Sequence, residues 1–251
     1  IDVDNIDDSE LENMAKKDSE SKKHKKAEDE TTATTMGKDE KQRMLELQNK
    51  DKLTGKEKKE LRLLRTKRDH EKADTALHMK KSTYKKLSAE YKKLKKIKNP
   101  TSDQIKKIKA LEEGGIGAGT AESQAGECIT HKALRMLKDG KSWDQIEKYL
   151  TDLVNSDDHV LNSTTGKEWV GAGIAVAKKL ANEFGINNID TISWDTPEGR
   201  KAIGVSPNFN TASDMFVFVK NPKTGKMEKV GVSLKKDGAV FINNGGWDTQ
   251  H

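Results

Sequence analysis

The stretch between residues 213 and 235 constrains the fold of this chain more than any other part of the sequence. Residues 215–219 form an unbroken run of apolar, β-branched and aromatic side chains that is short enough to be a buried strand. Residues 221–226 (Asn-Pro-Lys-Thr-Gly-Lys) are typical of a turn, and 229–235 then return as a second strand. A third strand is predicted at 239–243. We therefore expect an antiparallel meander.

Two charged residues lie at the ends of the first two strands. Antiparallel pairing brings Asp214, where one strand begins, close to Lys235, where its neighbour ends. This arrangement resembles the PD-(D/E)XK nuclease superfamily, in which an Asp opens one strand and an acid-x-Lys tripeptide follows on the next. Ser213-Asp214 matches the first half of that motif, and Ser233-Leu234-Lys235 matches the second half with Ser in place of the acid. The resemblance covers roughly the last third of the chain.

The resemblance implies a metal-dependent endonuclease that hydrolyses phosphodiester bonds in DNA with Mg²⁺ or Mn²⁺. It implies that Asp214 is the main metal ligand, that the backbone carbonyl of Leu234 is a second ligand, and that Lys235 is the catalytic lysine. Many members also carry a glutamate on the helix before the sheet, and Glu168 matches it as a ligand that acts directly or through water. Ser233 in place of a carboxylate removes one negative charge, which weakens Mg²⁺ binding.

Each of these residues also has an interpretation without chemistry. Glu168 follows Thr165 by three residues, as in a capping box, and Asp214 fits a turn acid before an apolar strand. Lys235 and Lys236 fit an exposed pair at a strand end. If the site is inactive, the chain is a structural or DNA-associated protein of a virion or an assembly machinery. A third alternative is an adaptor that binds RNA or protein.

Charge divides the chain into segments. Residues 1–37 carry 11 acidic against 6 basic residues and almost no large apolar ones, so they predict a disordered or extended acidic arm. Residues 38–113 carry 25 lysine and arginine residues against 13 acidic ones and predict a basic helical hairpin or coiled coil. A glycine-rich hinge is expected at 114–122. The nuclease-like domain is expected at 123–251, and we expect it to be incomplete at its C-terminal end.

The basic segment has two features that predict partners. A narrow heptad stripe (Tyr84, Leu87, Tyr91 and Leu94) predicts packing of this helix against itself or a partner helix. Lysines that neutralise nucleic-acid phosphates release counterions, which favours binding. We expect this role for Lys92, Lys93, Lys95, Lys96 and Lys98, and near the site for Lys236. The alternatives are a solvated basic face and an acidic protein partner.

The expected fold class is therefore α+β, with a long basic helical or coiled-coil arm before a small restriction-endonuclease-like domain. In that domain a helix at 165–184 packs on the antiparallel meander. The single cysteine, Cys128, excludes an internal disulfide. No segment approaches the roughly 20 apolar residues of a membrane span, so no membrane contact is expected. The expected location is the cytoplasm, or the host cytoplasm or the virion if a phage encodes the protein.

Overall fold

A computed structural model describes residues 35–117, 119–208, 213–236 and 241–243. Within these ranges the fold is α+β, as the sequence predicts. The helices are Lys38–Gln48 (α1), Gly55–Leu77 (α2), Lys81–Lys95 (α3), Ser102–Glu113 (α4), Ala121–Lys138 (α5), Trp143–Val154 (α6), Thr164–Phe184 (α7) and Pro197–Ala202 (α8). The strands are Ile189–Trp194 (β1), Met215–Lys220 (β2), Met227–Ser233 (β3) and Phe241–Asn243 (β4). The acidic arm predicted at 1–37 lies outside the described residues, apart from its last three.

The four strands form one antiparallel meander in the order β1-β2-β3-β4. The register places Met215 opposite Trp194 on one side and opposite Val232 on the other. The turn between β2 and β3 forms as predicted, with the Asn221 side chain accepting hydrogen bonds from two backbone amides and Gly225 at φ 70°. The predicted meander is therefore confirmed. The third predicted strand is described only at Phe241–Asn243.

The alternation of side chains along β2 explains where the core lies. Met215 and Val217 are fully buried in the main core, together with residues of α5 and α7. Phe216 points to the opposite face of the sheet, where it packs against Ile203 and Val205 in the segment after α8. Both faces of β2 are thus covered, which is why its sequence is a continuous apolar run.

Helices α5 and α7 approach each other closely because glycines stand at their contacts. A Cβ atom at Gly126 would lie 2.3 Å from the Trp169 ring, and one at Gly173 would lie 2.5 Å from the Ile129 side chain. The Thr130 hydroxyl donates a hydrogen bond to the Gly173 carbonyl at 3.0 Å. This contact fixes α5, and α5 carries a residue of the candidate site.

The coiled-coil arm predicted from the basic segment is not confirmed. Ala73 and Leu77 of α2 are buried in the main core, because this helix packs on α5, α8 and β1. Leu77 is fully buried, and burial of such a side chain is worth about 1.5–3 kcal/mol. The helix that the sequence assigns to a separate arm is therefore part of the main body.

Helices α3 and α4 do form a helical hairpin within the predicted segment. Lys107 forms an ion pair with Glu90 at 2.5 Å, and the Tyr91 hydroxyl donates a hydrogen bond to Glu112 at 2.8 Å. None of the residues of α3 is fully buried, and Tyr84 packs against the main core. The heptad stripe thus gives a half-buried contact within the chain, and packing against a partner helix stays a prediction.

The segment predicted as a glycine-rich hinge is packed against its neighbours where it is described. Gly115 and Gly117 have φ of 84° and 96°, so both positions favour glycine. Ile116 between them is buried, and the Gln124 side chain donates a hydrogen bond to the Gly115 carbonyl at 2.7 Å. Its role as a moving hinge and as a domain boundary stays a prediction.

The outer edge of β1 is covered by side chains of α2 and α5. Lys138 donates hydrogen bonds from Nζ to the carbonyls of Ile189 and Asp190, the latter at 2.6 Å. His70 Nε2 lies 3.0 Å from the Ile192 carbonyl, and Asp69 accepts a hydrogen bond from the Trp194 amide at 2.8 Å. These contacts fix the position of β1 against the two helices, and the end of β1 forms one side of the candidate site.

Two helix boundaries near the site differ from the sequence prediction. Helix α7 begins at Thr164 because Ser163 is its N-cap and accepts a hydrogen bond from the Gly166 amide at 2.9 Å. The segment after β1 contains a further helix, α8, which Thr196 caps and Pro197 begins. Among the described helices, none is both long and apolar enough to cross a membrane.

Candidate functional site

One end of each of three neighbouring strands lies at the same corner of the sheet, and polar residues lie at that corner. Asp195 follows β1, Asp214 precedes β2 and Ser233 ends β3. The Asp195 amide donates a hydrogen bond to the Asp214 carbonyl at 3.0 Å, and the Asp214 amide donates to the Val232 carbonyl at 2.9 Å. Backbone pairing therefore continues beyond the strands and aligns these residues side by side.

The Asp214 carboxylate is held in place by β3. Its Oδ2 atom accepts hydrogen bonds from the Leu234 amide at 2.6 Å and from the Ser233 hydroxyl at 3.3 Å. Its Oδ1 atom has no hydrogen-bond partner among the described residues. Half of the carboxylate is thus fixed, and the other half is left to contact a ligand. Ser233, at the position of the missing acid, supplies a donor to Asp214.

Glu127 of α5 reaches the same corner from the helical layer. Its pKa is raised to about 7, first by burial and next by the negative charge of Asp214, while the positive charge of Lys235 opposes the rise and Asp195 adds to it. These effects place Asp214, Lys235 and Asp195 within electrostatic reach of Glu127. The half-buried Glu127 side chain stands between core residues of α5, notably Ala125 and Cys128.

Asp195 is the third carboxylate of the corner, and it is paired. Arg200 of α8 forms an ion pair with it at 2.6 Å. Burial raises the pKa of Asp195, Arg200 lowers it, and the nearby Asp214 raises it again. Arg200 thus balances part of the negative charge that would otherwise accumulate beside Asp214.

The sequence-predicted residues fall into two groups. Asp214, Ser233, Leu234 and Lys235 lie together at the corner. Glu168 is exposed near the start of α7, makes no hydrogen bond or ion pair within the described residues, and is not among the charges that shift the pKa of Glu127. Since Ser163 is the N-cap, Glu168 is not a capping-box residue either. Its role as a metal ligand stays a prediction without a contact that supports it.

Sequence reasoning missed Glu127 and Asp195. A signal for Glu127 is present, because it is an acid within a run of apolar and small residues from Ala125 to Ile129. Burial of a charged side chain at such a position costs free energy unless the charge is paired, hydrogen-bonded or used in a site. Asp195 directly follows β1, and the antiparallel pairing of β1 with β2 is what places it beside Asp214.

The lysines predicted to bind nucleic acid are exposed. Lys92, Lys93 and Lys95 lie at the end of α3, and Lys96 and Lys98 lie in the loop that follows. Lys95 is engaged, since it forms an ion pair with Glu112 at 3.3 Å. The other four make no ion pair with the described residues. Lys236 is likewise exposed beside Lys235. Binding of DNA by these residues stays a prediction.

A second group of ligand-type side chains lies away from the corner. Asp69, His70 and His131 each place one possible ligand atom within 4.8 Å of the others. Burial raises the pKa of Asp69 to about 8 and lowers that of His70 to about 4. Two imidazoles and one carboxylate suit a transition metal, whereas Mg²⁺ prefers oxygen ligands. Nothing in this group points to the Mg²⁺ that the sequence predicts.

Comparison of the chain with protein-family models, with curated proteins and with solved structures found no match.

Proposed function

We propose that the protein is a metal-dependent phosphodiesterase of the nuclease type, with its active site at the corner formed by Glu127, Asp195, Asp214 and Lys235. One observation carries the proposal: hydrogen bonds hold Asp195, Asp214 and the 233–235 segment side by side at one corner, and Glu127 of α5 lies within electrostatic reach of Asp214, Asp195 and Lys235. Such a group suits phosphodiester hydrolysis, which requires an activated water and compensation of negative charge on the phosphate. The arrangement supports the nuclease resemblance of the sequence.

The donor set fits Mg²⁺ or Mn²⁺ because it consists of oxygen atoms. Asp214 offers a free Oδ1 atom, and Glu127 offers a second carboxylate without a hydrogen bond among the described residues. When bound, the ion would supply a bound water of lowered pKa and a positive charge for a phosphate oxygen. Asp195 is less available, since Arg200 occupies one of its oxygens.

Two side chains of the corner have separate roles in the proposed reaction. Glu127 titrates near neutral pH, so it suits the role of a base that accepts a proton from the attacking water. Lys235 is exposed and positively charged, so it suits contact with the phosphate whose negative charge increases in the transition state. In this proposal Glu127, and not Glu168, is the helix glutamate of the site, and its role is that of a base.

Cleavage of supercoiled plasmid in Mg²⁺ or Mn²⁺ tests this function. We expect Asp214→Asn, Lys235→Ala and Glu127→Gln each to lower the rate by about 10²-fold or more, as typical for loss of an acid–base or charge-stabilising group. Glu168→Gln and Lys220→Ala are the matched controls, which remove an exposed residue of the same type and should leave the rate within about twofold of wild type; Lys220 lies at the opposite end of β2.

Two outcomes would contradict the enzyme proposal. Absence of cleavage with either ion is one, and cleavage that persists in Asp214→Asn is the other. DNA binding without cleavage would favour the second candidate, a DNA-associated structural protein with a degenerate site. One observation favours this candidate: the Ser233 hydroxyl donates a hydrogen bond to Asp214 at the position where an active family member would have an acid.

A further inference from the structure

The group formed by Asp69, His70 and His131 lies at the junction of three elements. Asp69 and His70 are consecutive residues of α2, and His131 belongs to α5. Both Asp69 and His131 are fully buried, whereas His70 is half-buried. The residues contact β1 from the side of the helices through Ile192 and Trp194. Three ligand-type groups thus converge where α2, α5 and β1 meet.

His131 is the residue that ordinary packing does not explain. Both of its ring nitrogens are buried, and neither has a hydrogen-bond partner in the described part of the chain. A buried polar group without a partner costs about 1–3 kcal/mol. The nearest acid is Asp69, but its Oδ2 atom lies 3.9 Å from His131 Nε2, which is too long for a hydrogen bond.

That separation does suit two ligands of one metal ion. Zinc bonds to imidazole nitrogen and carboxylate oxygen are each about 2.0–2.2 Å long, so two such ligands lie about 3.4 Å apart in a tetrahedral site and at most roughly 4.2 Å apart. The 3.9 Å between Asp69 Oδ2 and His131 Nε2 lies between these two values, so a shift of about half an ångström brings both atoms to a tetrahedral ion. The ring centroids of His70 and His131 are 5.1 Å apart, and one nitrogen of each ring lies within 4.8 Å of the other and of an Asp69 oxygen.

Hydrogen bonds to backbone and side-chain groups hold the other two residues in orientation, as is usual for metal ligands. His70 Nε2 is 3.0 Å from the Ile192 carbonyl and must carry the proton to bond with it, which leaves a lone pair on Nδ1. Asp69 accepts hydrogen bonds from the Trp194 amide at 2.8 Å and from the Thr196 hydroxyl. A carboxylate has about four lone-pair sites, so Asp69 keeps further capacity to bind an ion.

We propose that Asp69, His70 and His131 bind one divalent late first-row transition-metal ion, with zinc as the expected occupant. The nitrogen and carboxylate donors match the preferences of this class and differ from the oxygen set at the corner of the sheet. Because Asp69 and His131 are fully buried, the ion has a structural role and ties α2 to α5 and β1. This site is independent of the proposed phosphodiesterase function.

Metal content of the full chain, purified without an affinity histidine tag and without chelator, is the first test. We expect about one zinc per chain by elemental analysis, and an at least tenfold lower content in His131→Gln and Asp69→Asn. His78→Gln is the matched control, since His78 is another histidine beside α2 with its own partners, Tyr149 and the Asp74 carbonyl. This variant and Asp214→Asn should keep the zinc of wild type.

A second measurement uses the wild-type chain, so that a failure of variants to fold cannot decide the result. After removal of metal with a chelator, Zn²⁺ should raise the thermal midpoint by several degrees, and Mg²⁺ at equal concentration should not. Co²⁺ should produce visible absorption bands of a low-coordinate nitrogen and oxygen site. The proposal is overturned if wild type carries no metal and responds to neither Zn²⁺ nor Co²⁺, or if His131→Gln keeps its full zinc content.

Discussion

Two glycines of α7 illustrate how strongly the effect of one residue depends on its surroundings. A Cβ atom at Gly166 would lie 1.9 Å from the Leu161 carbonyl oxygen, whereas one at Gly171 would meet no atom within 4 Å. We expect Gly166→Ala to lower the free energy of unfolding by more than about 2 kcal/mol, because the backbone must move. Gly171→Ala should raise it by about 0.5–1 kcal/mol. Urea unfolding of the two variants checks both signs, and equal stabilities would contradict the packing of α7.

The raised pKa of Glu127 predicts a dependence of stability on pH. Its pKa is about 7 in the folded chain against an ordinary value of 4.5, so the folded protein binds more protons between these values. The stability that Glu127 contributes is present below pH 4.5 and is lost as the pH rises to about 7. The full loss is on the order of 3 kcal/mol.

Comparison with Glu127→Gln isolates this effect from other buried groups that titrate. Without Mg²⁺, wild type should lose stability relative to the variant as the pH rises from 4.5 to about 7 in urea unfolding. A stability difference that stays constant over this range would show that Glu127 is not held at the corner as described.

The closeness of Asp214 to the 233–235 segment could be predicted from the sequence because one hairpin joins them, although Asp214 contacts Ser233 and Leu234 and forms no ion pair with Lys235 within the described residues. The turn at 221–226 fixes the register of β2 and β3, and alternation then decides which residues stand side by side. Glu127 could not be predicted in the same way, because its position depends on how α5 packs across the sheet. No local pattern specifies that packing.

At the scale of elements, the hairpin of α3 and α4 is where the charge of the basic segment is most accessible. Replacement of Lys92, Lys93, Lys96 and Lys98 by glutamine should weaken DNA binding. Loss of each lysine that contacts a phosphate should reduce the magnitude of the slope of log affinity against log salt by about 0.9. Lys95→Gln should have a smaller effect, because Glu112 already compensates its charge.

A variant with equal charge loss elsewhere controls for net charge. The control variant replaces four exposed lysines near the start of α2 by glutamine, so that it loses the same charge: Lys52, Lys56, Lys58 and Lys59. Salt-dependent fluorescence anisotropy on a labelled duplex compares the two variants. If both lose affinity equally, binding depends on the overall charge and the hairpin has no special role.

Helix α2 shows why the predicted arm differs from the observed fold. Its sequence is rich in charge, and its buried positions include small residues such as Ala73 and Ala76, which give a weak apolar pattern. Small side chains allow close approach to α5 and β1, and they add to the burial of Leu77. The charge count that predicts a separate basic arm therefore underestimates the role of this helix in the core.

At the scale of the whole molecule, the role of α2 makes a prediction about truncation. A chain that begins at residue 114 lacks Ala73 and Leu77 of the main core, and we expect it not to unfold cooperatively. A chain that begins at residue 53 loses α1 with Met44 and Leu47 of a small separate cluster, so it should stay folded with a lower thermal midpoint.

Thermal melts followed by circular dichroism distinguish these chains. Cooperative melting of residues 114–251 alone would support the domain boundary that the sequence predicts at the glycine-rich segment. The boundary was predicted from composition, which reports where charge and apolar content change. Composition does not report contacts such as that between Asp69 and the Trp194 amide, whose residues are 125 positions apart.

The way in which Lys138, His70 and Asp69 engage β1 has a consequence for the behaviour of this protein in concentrated solution. An edge strand with open amides and carbonyls can recruit a strand from another copy and begin aggregation. Here side chains from the two helices occupy the outward-facing carbonyls and amide, so another copy has few bonds left to form. Loss of these side chains would leave the outer edge of β1 open to pairing with a strand of another copy.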